Sequence, residues 1–143
     1  MTIVLKGAKQ HALARQALPL IFAAEWQDQP LNYAALAQAM GYKPRAGRMI
    51  GAVCDLLDAA AALAGVPLIG LWRVTMTNGG HNPRAFADRP ALREWIFTKA
   101  RWHSFTNADR DAIAEALDTL VGKSNRVAWR YVEQQRPKFA TGA

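Results

Sequence analysis

The spacing of apolar residues predicts helices over both ends of the chain. From Lys9 to Trp26 apolar side chains recur on one side of a helix, although Pro19 should kink or break it. The same period returns after residue 89 in three segments, 91–103, 107–121 and 124–135. Thr106 and Asp109 are spaced to form a capping box before the second segment. The last residues, 136–143, are predicted to form a frayed tail.

Two further helices, joined by a tight turn, are predicted in the middle of the chain. The first is short, from Ala34 to Met40, with Asn32 as its N-cap and Gly41 as its left-handed C-terminal residue. The second begins near Pro44 and extends to Leu63. A short helix, a turn containing glycine and a longer helix are typical of a helix-turn-helix.

The pattern changes to that of a strand after this pair of helices. Residues 68–77 are rich in β-branched and aromatic side chains, and Asn78-Gly79 is a strong hairpin signal before a weak strand or loop at 80–86. A hairpin that follows a helix-turn-helix is the order of a winged helix. The sequence therefore predicts a mainly α fold with a small β-hairpin, in a single domain over residues 1–143. Its winged helix-turn-helix core would occupy residues 30–86, and a helical C-terminal extension residues 90–135.

Composition and charge add a class of partner to this prediction. Eighteen Lys and Arg against eleven Asp and Glu give a net charge of +7, which suits a polyanion such as nucleic acid. The single cysteine, Cys54, excludes an internal disulfide and a cysteine-rich zinc site, and we expect it to be a small buried residue. No apolar run reaches the ~18–20 residues that span a bilayer, and residues 1–6 are too short for a signal-peptide core. We expect a cytoplasmic protein with no membrane contact, nucleoid-associated if it binds DNA.

Four short segments carry a more specific pattern. Residues 32–41 read N-Y-A-A-L-A-Q-A-M-G, and residues 44–51 read P-R-A-G-R-M-I-G. Residues 69–74 read I-G-L-W-R-V, and N-G-G follows at 78–80. In order and spacing these segments resemble the DNA-binding half of alkylguanine-DNA alkyltransferases and alkyltransferase-like proteins. That family has Tyr-x-x-Leu-Ala, a glycine, Pro-x-Ala-x-Arg-Ala-Val-Gly, then Ile-Pro-Cys-His-Arg-Val and a glycine-bearing wing. The resemblance covers about residues 30–86.

The resemblance implies a role in DNA repair by base flipping, without alkyl transfer. Arg48 would fill the gap left by a flipped nucleotide, and Tyr33 would press on the neighbouring phosphate. Arg73 would lie on the strand that leads into the wing. The family's reactive cysteine aligns with Leu71 and its activating histidine with Trp72, and neither residue can perform that step. Alkyltransferase-like proteins also lack the cysteine and bind DNA without reacting. The three C-terminal helices have no counterpart in the pattern.

The candidate site residues are all cationic or aromatic. Lys43, Arg45 and Arg48 cluster at a helix start, where the dipole also favours phosphate, and the alternative for each is a solvated surface position. The full candidate set for DNA binding is Tyr33, Lys43, Arg45, Arg48, Arg73 and Arg84. Tyr33 could equally be a half-buried anchor, and Arg73 and Arg84 could be solvated residues beside the hairpin.

Other residues receive structural interpretations. The large aromatic residues are expected in the core, namely Trp26, Trp72, Trp95, Phe97, Trp102 and Trp129. Asp55 and Asp58, three positions apart on one helix, are ordinary surface charge or, in principle, ligands of Mg²⁺. The three histidines have no partner at metal-ligand spacing, so neither a metal site nor a cofactor is predicted.

The sequence thus predicts a non-catalytic protein that engages double-stranded DNA through a winged helix. Recognition of a modified or flipped base and ordinary regulatory recognition both stay open. One alternative is an adaptor that uses the same elements, and the basic charge, to bind a protein partner. Another is a nucleic-acid-processing enzyme with an unrecognised site, which divalent-metal-dependent cleavage, abolished by changing Asp55 or Asp58, would support.

Overall fold

The first helix, α1, spans Ala8–Trp26 without a break. The computed structural model describes residues 8–141, so the segment tested above as a signal peptide lies outside the described residues. Pro19 lies inside α1, so of the predicted kink or break the break does not occur. Its side chain is exposed, whereas Ala17, Leu18 and Ile21 are buried. Proline is tolerated here because the backbone carbonyl that loses its partner lies on the solvent side.

The predicted pair of helices is confirmed. Helix α2 spans Tyr33–Ala39, a 3₁₀ turn covers Pro44–Ala46, and helix α3 follows at Gly47–Ala64. The side chain of Asn32 accepts the Ala35 amide at 2.8 Å, as expected of an N-cap. Gly41 has a φ of 91°, a left-handed conformation that allows the chain to turn immediately after α2.

The predicted hairpin is wrong. Its first strand is instead a short helix, α4, at Ile69–Arg73, followed by a two-residue strand, β2, at Val74–Thr75. Strand β2 pairs in parallel with β1, Leu31–Asn32, which precedes α2. A turn does form at residues 76–80, where the Met76 amide donates to the Gly80 carbonyl at 2.8 Å. No strand returns from it, since residues 83–88 form turns.

Three helices complete the described chain. They are α5 at Pro90–Arg101, α6 at Asn107–Thr119 and α7 at Asn125–Gln135, close to the predicted bounds. The capping box of Thr106 and Asp109 is present at α6. The prediction of a frayed tail is wrong for Pro137–Thr141, which forms a 3₁₀ helix, and residues 142–143 lie outside the described residues.

Helix α3 lies at the centre of the fold. It packs against α1, α2, α4, α6 and α7, and residues 59–62, all alanine, are buried in it. Small side chains let the surrounding helices approach closely, so one hydrophobic core combines residues from both halves of the chain. The fold is therefore mainly helical with a two-stranded parallel sheet. None of the described helices is long and apolar enough to cross a membrane.

The aromatic residues divide between core and surface. Trp72, Trp95, Phe97 and Trp129 are partly buried against the core, as predicted. Trp102 is 80% exposed and Trp26 is 46% exposed, so their prediction as core residues is wrong. Cys54 is buried and free, as expected.

Candidate nucleic-acid interface

Tyr33 lies at the junction of α2 and α3. It is the first residue of α2, and its ring lies over Gly51 of α3, where a Cβ would be 3.6 Å from the hydroxyl oxygen. Burial raises the pKa of the Tyr33 hydroxyl, the charge of Cys54 adds to this, and a hydrogen bond with Asn82 opposes it. The hydroxyl therefore stays protonated and available as a hydrogen-bond donor.

The cationic residues at the start of α3 are exposed. The side chains of Lys43, Arg45 and Arg48 form no hydrogen bond or ion pair with any residue of the described chain. Arg45 and Arg48 line a surface hollow together with Tyr33 and with residues 76–77, which enter the turn after β2. The sequence predicted this cluster, and the structure brings it beside that turn.

The other two predicted arginines have different environments. Arg73 forms an ion pair with Glu25 at 2.5 Å, and its side chain is only 14% exposed. Arg73 is therefore not one of the unpaired cations, unlike the three at the start of α3. Arg84 is exposed, its side chain forms no hydrogen bond or ion pair within the described residues, and it lines a cavity that Tyr33 also lines.

This cavity has a volume of about 340 Å³, near the lower end of the ~300–1,000 Å³ usual for ligand pockets. Its polar lining comes from α2, α3, the loop after β2 and α7, and consists of Tyr33, Asp55, Asp58, Asn82, Arg84 and Asn125. Tyr33 lines both the cavity and the hollow beside Arg48, so the two spaces adjoin. Leu71, at the position of the reactive cysteine in the resemblance, also lines the cavity.

Asp58 lies deep in the cavity wall. It is 4% exposed, so its interpretation as surface charge is wrong. Its two carboxylate oxygens accept the backbone amides of Gly70 and Leu71, each at 2.8 Å. A Cβ on Gly70 would lie 2.8 Å from Asp58 Oδ1, so only glycine allows this approach. Burial, with the charge of Asp55, raises the pKa of Asp58 well above the usual value, against the effect of the two amides.

Asp55 is the second carboxylate of the cavity. Its Oδ1 accepts the Trp129 indole N–H at 2.9 Å. Burial raises its pKa, and hydrogen bonds from Trp129 and Asn125 oppose the rise. The described residues contain no group of three or more His, Cys, Asp or Glu placed to hold a metal ion.

Phe86 at the cavity edge has a strained backbone. Its φ of 58° is left-handed, which is unusual for a bulky side chain and costs of order 1–3 kcal/mol. The ring packs edge-on against Trp129 at 5.4 Å, and Phe139 lies 6.4 Å away. Aromatic packing therefore holds the strained residue in place.

The polar residues that line this cavity were not predicted from the sequence as a site. One feature of the sequence could have indicated that Asp58 is buried. It is followed by the apolar run 59–64, and an exposed carboxylate is not expected there. Nothing local indicates that Asn82 and Asn125, from opposite ends of the C-terminal half, contribute to the same cavity as Asp58.

No protein-family model, curated protein or solved structure matches this chain. The resemblance to alkyltransferase-like proteins therefore depends on the quoted sequence segments alone.

Proposed function

We propose that this protein binds duplex DNA without performing chemistry on it. The start of α3 lies against the sugar-phosphate backbone, and the turn at residues 76–80 lies beside it in the position of a wing. A displaced base enters the cavity beneath Tyr33. Such a protein acts in the compartment that holds the DNA, as a cytoplasmic, nucleoid-associated protein.

The observation that carries this proposal is the set of exposed, unpaired cations at the start of α3. Lys43, Arg45 and Arg48 have no partner in the described chain, and two of them border a hollow. Each phosphate that a cation neutralises releases condensed counterions, which favours binding. A planar guanidinium can also stack in the gap that an extruded base leaves.

The adjoining cavity supports the finer part of the proposal. It opens beside Tyr33, which also borders the hollow of Arg48, so a nucleotide displaced at Arg48 has a space to occupy. Its polar groups can hydrogen-bond the edge of a base, and Phe86 offers an aromatic ring. The resemblance agrees with this arrangement, since Tyr33, Arg48 and Leu71 are residues that it aligns with functional positions.

Replacement of the two arginines tests the proposal. We expect Arg45→Ala/Arg48→Ala to weaken binding to a labelled duplex at moderate salt by at least a few-fold, because each phosphate or base contact contributes about 1 kcal/mol. The measurement is fluorescence anisotropy with duplex DNA over a salt series.

Arg101→Ala is the matched control, because Arg101 is also exposed and has no partner among the described residues. It ends α5, and nearby Lys99 and His103 border a groove with Gly65, at the opposite end of α3 from Arg48. We expect it to bind as the unaltered protein does. Equal affinities for all three proteins would overturn the proposal.

A further inference from the structure

Helix α7 runs alongside α3 in the same direction. At its start, Asn125 donates its side-chain N–H to the carbonyl of Ala52 at 2.9 Å. Just beyond its end, Arg136 donates to the carbonyl of Leu63 at 3.0 Å. A later residue of α7 thus bonds a later residue of α3, so the two helices are parallel. The first turns of both helices lie at the same end of the molecule.

This parallel packing brings two more arginines to the end of the molecule that holds Arg48. Ala52 lies one helical turn beyond Arg48, and Asn125 is bonded to it. Arg126 and Arg130 follow on α7, four positions apart and therefore on one side of the helix. Both side chains are exposed, and neither has a partner among the residues that the structure describes.

The hydrogen bonds around Asn125 fix this arrangement. Gln10 of α1 donates its side-chain N–H to the Ala52 carbonyl at 2.8 Å and contacts Asn125 Oδ1 at 2.6 Å. One turn later the Trp129 indole is bonded to Asp55. The first turns of α7 are therefore held to α3 at several points, and its arginines are presented from a rigid element.

We infer that Arg126 and Arg130 bind phosphates of the same duplex, on the flank of the α3 contact. Packed helices lie about 8–10 Å apart, and successive phosphates of one strand advance ~3.4 Å along the duplex axis. A contact by α7 would therefore fall roughly three phosphates from the α3 contact. The inference rests on the proposed function and extends it to a helix outside the segment that resembles alkyltransferase-like proteins.

The salt dependence of binding tests this role. We expect Arg126→Gln/Arg130→Gln to weaken binding to a long duplex roughly five- to tenfold at moderate salt. It should also reduce the slope of log affinity against log salt by about one to two, because each lost phosphate contact removes ~0.9 from the slope. Arg126→Lys/Arg130→Lys should keep the slope, since the positive charge is retained. Arg101→Gln is the control, and it should change neither quantity.

Duplex length gives a second measurement. On a duplex trimmed to the α3 contact, the unaltered protein and Arg126→Gln/Arg130→Gln should bind alike, since the flanking phosphates are gone. An unchanged slope and affinity on the long duplex, while Arg45→Ala/Arg48→Ala loses binding, would overturn the α7 contact and leave the proposed function standing. Absence of DNA binding by the unaltered protein would overturn the proposed function itself.

Discussion

The buried carboxylate of Asp58 shows how one residue decides the local structure around it. Its two oxygens accept the amides of Gly70 and Leu71, which lie in the first turn of the short helix α4. The first amides of a helix have no partner within the helix, so a side chain from α3 supplies the acceptors. The segment is therefore helical although its composition favours a strand.

Removal of this carboxylate should destabilise the protein. Asp58→Ala leaves two buried amides without acceptors, and each unsatisfied donor costs ~1–3 kcal/mol, so we expect a loss of about 2–6 kcal/mol. Urea unfolding followed by circular dichroism measures it. Asp111→Ala is the control, because Asp111 is exposed. A loss no larger than that of the control would contradict the role assigned to Asp58.

The same residue should make stability depend on pH. Burial raises the pKa of Asp58 in the folded state, so the folded protein holds its proton more strongly than the unfolded chain does. The stability from this group is fully present below the ordinary carboxyl pKa and is lost as pH rises through the raised pKa. We expect Asp58→Asn to flatten this decline when unfolding free energies are measured across that window. A parallel pH profile in the variant would assign the decline to another group, such as Asp55.

At the scale of elements, apolar periodicity predicted most of the helices. It failed where contacts with residues distant in sequence determine the secondary structure. Helices α2, α3, α5, α6 and α7 follow from local spacing and caps. Helix α4 does not, because its capping carboxylate lies 12 residues away from Gly70. The cationic cluster of the candidate site was visible in the sequence, since its residues are neighbours along the chain. The cavity was not, because its lining comes together only when α7 packs beside α3.

The 3₁₀ helix at Pro137–Thr141 gives a test at this scale. Phe139 is 9% exposed and its ring lies 5.8 Å from the rings of both Trp95 and Trp129. Phe→Ala in a core costs about 3–5 kcal/mol, and we expect Phe139→Ala to cost about 3 kcal/mol because its side chain keeps some exposure to solvent. Thermal and urea unfolding measure this, with the exposed Gln134→Ala as control. A truly frayed tail would give no difference between the two variants.

For the molecule as a whole, one end combines several features that are separate in the sequence. The starts of α3 and α7, the turn at 76–80 and the mouth of the cavity lie together there. Arg45 and Arg48 line the hollow, and the carboxylates of Asp55 and Asp58 line the adjoining cavity together with Arg84. A nucleotide fits this distribution, because its phosphate is anionic while a base edge can carry N–H donors for a carboxylate.

The cavity should therefore make binding sensitive to how easily a base leaves the duplex. Extruding a base costs a few kcal/mol, and least for a mismatched one. We expect the protein to bind a duplex with one central mismatch several-fold more tightly than the matched duplex, as measured by competition anisotropy at fixed salt. Gly51→Leu places a large side chain in the cavity wall beneath Tyr33, so it should bind both duplexes alike. The exposed Gln134→Leu should keep the preference. Equal affinity of the unaltered protein for both duplexes would remove the cavity from the proposal, because binding through α3 alone does not require a base to leave its stack.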